Sequence, residues 1–345
     1  MFKKWRSRWR LGALLPLMIW LMTGCSQENL STLIPAGPVA REQLWLMKFS
    51  LGVMLIVFVV VIAVFFYVLV KYRKRKGQTG IPEQVEGNHT LEIIWTVIPF
   101  IMLFVLAIPT IMYTFKFEKV YSASEAIQVK VTGHQFWWEF EYPQYGFTTG
   151  QDLYIPKGKQ IQFELTSKDV IHSFWVPAIG GKRDNNPGLI NKMTLLAEKE
   201  GVFKGKCAEL CGPSHALMDF KVIVLDENDF NTWSQKMRAK PEPMDLSPLA
   251  AKGKELFTKN SCISCHAVGG NGGVLGPNLT NFADREMVAS IRKNTTENVK
   301  AWIKDPNSIK PGNTMFKGYS PYPNFSDDDL DALAAYLESL HVYKK

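Results

Sequence analysis

The stretch Cys207-Ala208-Glu209-Leu210-Cys211-Gly212-Pro213-Ser214-His215-Ala216-Leu217-Met218 decides how the rest of the chain is read. It gathers two thiols, an imidazole and a thioether, the soft and borderline ligands that copper prefers to oxygen donors. Zinc is the weaker reading, because Met218 is not a usual zinc ligand and zinc cysteines commonly pair as tighter knuckles. A merely structural cysteine pair would leave the imidazole and thioether unexplained. The missing ligand should come from a separate strand, and His172 in Asp169-Val170-Ile171-His172-Ser173-Phe174-Trp175, at the end of a strand, is the candidate. A mononuclear blue-copper site uses one Cys, two His and a weak axial Met. Here a second Cys is present, spaced so that both thiolates can bridge two coppers. Metals so bridged can share one unpaired electron, and reduction then changes each bond only slightly, as fast electron transfer requires.

Around this loop, residues 126–225 read as an all-β unit. Ile127-Gln128-Val129-Lys130-Val131 and Gln160-Ile161-Gln162-Phe163-Glu164-Leu165 alternate, Phe220-Lys221-Val222-Ile223-Val224 is β-rich, and Pro156-Lys157-Gly158 and Gly180-Gly181 mark breaks, a spacing that predicts a sandwich or barrel. Residues 234–247, with Lys240-Pro241-Glu242-Pro243, read as a linker. Residues 248–345 turn helical: Leu249 to Lys259, an amphipathic helix from Val288 to Ile303, and a helix capped by Ser326 and running to about Leu340, with Asp327, Asp328 and Asp329 in its first turn.

Within this last segment, Cys262-Ile263-Ser264-Cys265-His266 is the c-type haem attachment signature, two thiols for the vinyl groups and a histidine for the iron. A redox or zinc Cys-x-x-Cys is the alternative, but no second Cys pair accompanies it. Met315, in the irregular stretch after Pro311-Gly312-Asn313-Thr314, is the expected opposite axial ligand, as in Met/His cytochromes. Met287, opening the amphipathic helix, reads as core.

On the other side of the loop lies a membrane anchor. Leu44 to Val70 is apolar except for Lys48, and roughly 20 apolar residues cross a bilayer core of about 30 Å. Lys71, Arg73, Lys74, Arg75 and Lys76 follow, which puts that end in the cytoplasm. A second span, about Ile93 to Phe115, returns the chain, so everything after Glu118 is expected outside. Residues 1–24 combine a basic start with an apolar run, the pattern of an export signal. Of the net charge of +8, Lys3, Lys4, Arg6, Arg8 and Arg10 carry most, so no nucleic-acid partner is called for. All five cysteines have a chemical role in this reading, Cys25 included, and none is left for a disulfide.

Leu21-Met22-Thr23-Gly24-Cys25 resembles a bacterial lipoprotein box, with Met22 where Leu is commonest; the resemblance implies cleavage before Cys25 and a lipid on its sulfur. An ordinary export signal or an uncleaved anchor is the alternative. His172 with the Cys207–Met218 loop resembles the binuclear copper (CuA) site of cytochrome c oxidase subunit II over residues 40–235. Gly133-His134-Gln135-Phe136-Trp137-Trp138-Glu139-Phe140-Glu141-Tyr142 is similar to that family's aromatic segment, and Glu92-Ile93-Ile94-Trp95-Thr96-Val97-Ile98-Pro99 to the start of its second span. Residues 248–345 resemble a class I cytochrome c, with Gly276-Pro277 after the attachment site and Gly253 placed to meet Tyr336. Together they resemble subunit II of caa-type haem–copper oxidases.

The resemblance implies two Cys bridging two coppers, His172 and His215 binding one each, Met218 as a weak ligand and Glu209 ligating through its carbonyl. It also implies a magnesium site shared with subunit I at the Glu209 side chain, and a proton path opening at Glu92, which otherwise is an acid starting a helix. Phe136 departs from the family, which commonly has Trp there as the residue receiving electrons from soluble cytochrome c; the fused haem domain offers a reason. The implied fold is a two-helix transmembrane hairpin (44–117) after a tether (25–43), then an all-β cupredoxin-like sandwich (118–233), then an all-α cytochrome domain. The implied function is transfer of electrons from haem c to CuA and on to haem a of subunit I, for oxygen reduction coupled to proton translocation. Partners would be subunit I, further oxidase subunits, and a cytochrome c or a quinol-cytochrome c reductase as donor. A quinol oxidase subunit lacking copper, and a free-standing membrane-anchored electron shuttle or copper-delivery protein, are the rival readings.

Overall fold

A computed structural model describes residues 28–81, 83–84, 86–239, 245–319 and 321–343. Residues 1–24 and Cys25, and the Lys240-Pro241-Glu242-Pro243 stretch, lie outside the described residues.

Two long helices come first, Pro38–Lys71 and His89–Phe117. Both are apolar enough to cross a membrane and bury almost none of their residues, as helices facing lipid or another membrane subunit do. They extend beyond the apolar runs at both ends, since polar helix ends remain hydrogen-bonded outside the hydrocarbon layer. Asn88 caps the second helix by accepting from Leu91 N at 3.1 Å, and Trp45 and Tyr113 meet at 6.0 Å between ring centroids. The ends of the pair away from the basic cluster are fastened to the β-domain. Ala36 N donates to Ala178 O at 2.6 Å and Ala40 N to Ile179 O at 3.2 Å, while Arg41 pairs with Glu198 at 2.5 Å and Arg183 with Glu118 at 2.6 Å.

The β-domain is a sandwich of two five-stranded sheets. In chain order the strands are β1 (Ile127–His134), β2 (Trp137–Tyr142), β3 (Phe147–Gly150), β4 (Asp152–Pro156), β5 (Gln160–Ser167), β6 (His172–Trp175), β7 (Lys182–Asn185), β8 (Asn191–Leu196), β9 (Gly201–Cys207) and β10 (Asp219–Leu225). One sheet runs β3-β2-β1-β5-β8 and the other β4-β10-β9-β6-β7. Between them Trp138, Phe140, Phe163, Phe174 and Phe220 are fully buried, each ring removing about 150–250 Å² from water. Phe174 and Phe220 stack at 4.9 Å. Helix Glu227–Arg238 closes one end, laying Trp233 on Tyr154 at 4.3 Å. It therefore occupies the start of the 234–247 stretch that composition marks as linker, because Trp233 and Met237 are drawn into the sandwich core.

The helical domain packs Pro248–Lys259 against Asp327–Glu338. A Cβ on Gly253 would overlap the carbonyl of Ala332 and lie 2.8 Å from Tyr336 Cβ, so only glycine permits this approach. The helix expected from Val288 begins instead at Thr296 and runs to Lys304. Ala289 and Ser290 adopt left-handed φ values of 50° and 67° and reverse the chain, pairing Met287–Val288 with Arg292–Lys293. Thr295 then supplies the cap. Met287 lies in this small hairpin and opens no helix.

Replacing Gly253 by Val should destabilise the helical domain by about 1–3 kcal/mol, the usual cost of overpacking, lowering its thermal midpoint by circular dichroism. An unchanged midpoint would mean that the two helices separate without cost.

Candidate metal centre

The metal loop inherits its geometry from strand pairing. β6 and β9 run antiparallel with Phe174 opposite Cys207, and Ala208 N donates to Ser173 O at 3.0 Å. His172, the first residue of β6, is thereby brought beside the first cysteine. The loop is closed at its base by Cys207 N donating to Met218 O at 3.3 Å, a carbonyl that also accepts from Trp138 Nε1 at 3.3 Å.

Cys207 Sγ lies 3.9 Å from His172 Nδ1, 3.9 Å from Cys211 Sγ and 3.3 Å from the Glu209 carbonyl. Cys211 Sγ lies 3.6 Å from His215 Nδ1 and 3.8 Å from Met218 Sδ. The structure thus brings together all six residues expected at the copper site, Glu209 through its backbone, while the Glu209 side chain is exposed beside Leu210. The thiols share one proton: the hydrogen bond with Cys211 holds Cys207 well below the usual thiol range against burial, and the same contact pushes Cys211 up. A cation in place of the shared proton removes this conflict and lets both sulfurs act as thiolates.

Asp169 was not among the expected residues. Its Oδ1 lies 2.8 Å from His172 Nε2; a carboxylate only accepts, so Nε2 carries the proton and the Nδ1 lone pair faces the thiols. Burial opposes charge on His172, but Asp169 and Cys207 outweigh it and raise its pKa; Asp169, partly desolvated, is held down by His172 and by the backbone amides of Gln135 and Val170. The signal was present three residues before His172, but Asp-x-x-His has no force until the chain turns there.

The second centre is a cavity in the helical domain. Cys262, Cys265, His266, Met287, Met315 and Arg285 lie on its wall. His266 Nδ1 lies 2.9 Å from the Pro277 carbonyl, so Nδ1 is the donor and Nε2 is free to bind a metal. Burial lowers the His266 pKa and keeps the ring neutral. A Cβ on Gly276 would stand 2.6 Å from His266 Cε1, which explains the glycine of Gly276-Pro277. Burial also raises the Cys262 thiol to about 11.

The fit to a haem rests on these donors and on polar atoms otherwise stranded. Arg285 is buried, with its charge opposed by desolvation and Nε lacking a hydrogen-bond partner among the described residues. Gln151 Oε1 is likewise unpartnered. A flat apolar macrocycle bearing carboxylates would fill the cavity and pair Arg285. Both Met315 and Met287 reach the wall; Met315 lies in the turn Thr314–Lys317, capped by Asn313 accepting from Phe316 N at 2.9 Å. Unexpectedly, Phe136, Trp137 and Gln151 of the sandwich also line this cavity. Glu92 stands elsewhere, in the exposed first turn of the second membrane helix, 3.8 Å from His89.

Three family profiles match: "Cytochrome C oxidase subunit II, transmembrane domain" over residues 27–112, "Cytochrome C oxidase subunit II, periplasmic domain" over 147–226, and "Cytochrome c" over 250–341. The chain is 51% identical over 345 residues to cytochrome c oxidase subunit 2 of Alkalihalophilus pseudofirmus, covering 99% of each chain. It is 44% identical over 358 residues to the Bacillus subtilis protein of the same name, covering 98% of this chain and 99% of that one. Quinol oxidase subunit 2 of Bacillus cereus is 34% identical over 237 residues, 68% of this chain and 81% of that protein. The sandwich is thereby cupredoxin-like; its family profile implies the copper site, and that of the helical domain implies haem c.

Asp169→Asn should leave the fold intact and weaken copper binding about 10- to 100-fold, the usual effect of removing a partner of a ligand histidine, as read by competition with a copper chelator. Cys207→Ser or Cys211→Ser should abolish the multi-line resonance of one electron shared by two copper nuclei; its survival in either variant would refute bridging. Met315→Ala should lower the haem potential and leave the copper resonance intact, whereas an effect confined to Met287→Ala would move the axial ligand to Met287.

Proposed function

The chain belongs to the cytochrome c oxidase subunit II family, and on that premise we propose that it carries electrons singly from a covalent haem c to a binuclear copper centre and on to haem a of subunit I. There oxygen is reduced to water with coupled proton translocation. The observation that carries this reading is the unbroken chain of contacts from His172 Nδ1 through the Cys207 and Cys211 thiols to His215 Nδ1 and the Met218 thioether in a chain that also holds the haem signature.

When bound, a copper pair would supply a one-electron store at this loop. The protein's part is to hold the ligands still. Cys207 and Cys211 would hold the copper pair through their thiolates, with His172, oriented by Asp169, and His215 each offering Nδ1, Met218, sealed in the core, its thioether, and Glu209 its carbonyl. Cys262 and Cys265 would hold a haem covalently, with His266, oriented by the Pro277 carbonyl, and Met315 available to its iron and Arg285 to its carboxylates. The membrane hairpin, welded to the sandwich through Arg41–Glu198 and Arg183–Glu118, holds the copper domain against subunit I.

The remaining assignments are parts of the same proposal. The basic residues after the first span favour an extracytoplasmic position for both domains, and the box before Cys25 favours its lipidation. The exposed Glu209 carboxylate shares a magnesium ion with subunit I, and Glu92 opens a proton path. A cytochrome c or quinol-cytochrome c reductase would donate electrons to the haem. The complete soft-ligand set and the C-terminal cytochrome match favour this reading over a quinol oxidase subunit.

Purification of the native complex in mild detergent tests the reading. The chain should emerge with subunit I, haem a absorbance and oxygen consumption. Emergence alone, with copper and haem c but without oxygen consumption, would establish a free-standing shuttle. Mass spectrometry of the N-terminal peptide should find a lipid on Cys25.

A further inference from the structure

Next to the wall of the haem cavity, a carboxyl group is buried in the sandwich. β3 passes into β4 through Gln151, a residue of that wall whose φ of 72° turns the chain sharply. Gln151 N donates to Trp138 O at 2.9 Å, and Lys221 N donates to Gln151 O at 3.1 Å. Asp152, the first residue of β4, lies opposite Lys221 of β10, and its carbonyl accepts from Thr149 Oγ1 at 2.9 Å. With the backbone held on both sides, the Asp152 side chain stays in the interior, where the residue is 5% exposed.

Arg285 is within electrostatic reach of this carboxyl, yet among the described residues the two form no ion pair. The guanidinium donates instead to Asn278 O and, at 3.2 Å, to Asn281 Oδ1, with Nε left over, so it keeps a face for a haem carboxylate. The other charged or titratable groups around Asp152 are Lys221, which is engaged by Glu286, then Glu286 itself, Tyr142 and Tyr154; Asp284, beyond Arg285, is held by His341. Burial outweighs the attraction of Arg285 and Lys221 and lifts the Asp152 carboxyl to about 6, with Glu286 adding to the rise. A haem carboxylate drawn to Arg285 would offset the guanidinium and raise it further.

We propose that Asp152 is a redox-linked proton site: the sandwich lends the haem of the helical domain a carboxyl group that is protonated while the iron is ferrous and gives its proton up when the iron becomes ferric. In each oxidation one electron leaves the iron for the copper pair, and one proton leaves the Asp152 oxygen for solvent past Lys221 and Glu286, the latter with a side chain 68% exposed. Reduction reverses both. The net charge of the buried site is then nearly the same in the two states, which spares it an uncompensated charge in a medium that solvates charge poorly. Only the ionised carboxylate stabilises ferric iron, so the haem potential falls as pH rises through the titration of Asp152. This inference rests on the haem reading proposed above.

An optical redox titration of haem c in the native complex, repeated between about pH 5 and pH 8, tests it. Over that range the equilibrium between ferrous and ferric haem should move toward ferric by about tenfold in all, one pKa unit of linkage; a flat potential in the unaltered complex overturns the proposal. Asp152→Asn should flatten the dependence with haem absorbance and copper resonance preserved, and Asp152→Glu, which keeps the carboxyl, should restore it. An unchanged slope in Asp152→Asn would assign the proton to a haem carboxylate and overturn the proposal as well. If Asp152→Asn does not assemble, Glu286→Gln at the surface takes its place: losing that negative charge and freeing Lys221 should move the pH dependence to lower pH, and an unmoved titration refutes the role of Asp152. Absence of haem c absorbance from the unaltered complex would instead refute the haem reading itself.

Discussion

The register in which β6 lies against β9 is the constraint on which the copper site depends. With Phe174 opposite Cys207, the β6–β9 ladder sets His172 beside the first thiol, and the bond from Cys207 N to Met218 O returns the loop to where it began. A slip of one residue would turn His172 to the other face of the sheet. The aromatic core guards that register: Phe174 packs on Phe220 and Phe163, and Trp138 reaches Met218 O from the facing sheet. Ligand geometry is therefore a property of the sandwich, and the loop supplies the chemistry.

Both metal sites follow one rule of orientation. In each, an oxygen acceptor takes the N–H of the histidine and leaves the other nitrogen bare, the Asp169 carboxylate for His172 and the Pro277 carbonyl for His266. The tautomers are opposite, Nδ1 inward at the copper loop and Nε2 at the haem cavity. That difference follows from where each acceptor stands, and it allows the same side chain to approach a metal from a short loop in one place and from a buried turn in the other.

Much of this was legible in the sequence, and what was not has a physical cause. The spans, the strand alternation of Ile127 to Val131 and the Cys-x-x-Cys-His motif are local patterns, and local patterns survive reading one residue after another. The Gly253 contact with the last helix was legible because a glycine in an otherwise good helix needs a neighbour to explain it. The helix expected from Val288 failed because Ala289 and Ser290 adopt left-handed backbone, for which neither residue gives notice. The start of the linker was misplaced because Trp233 and Met237 are held by tertiary packing with Tyr154 and the sandwich core. Asp169, Arg285 and the sandwich wall of the haem cavity were invisible for a related reason: each acquires its role from a residue distant in the chain or from a turn that only the folded backbone shows.

Val342 in the core cluster of a domain whose first strand starts at Ile127 has a consequence for the order of assembly. That contact closes a loop spanning nearly the whole of both domains, and such long-range closures come late in folding. The sandwich can build its sheets early, yet its packing is completed only when the helical domain has folded and delivered its tail. Completion of the sandwich core is thus tied to the fold of the helical domain through the Val342 contact.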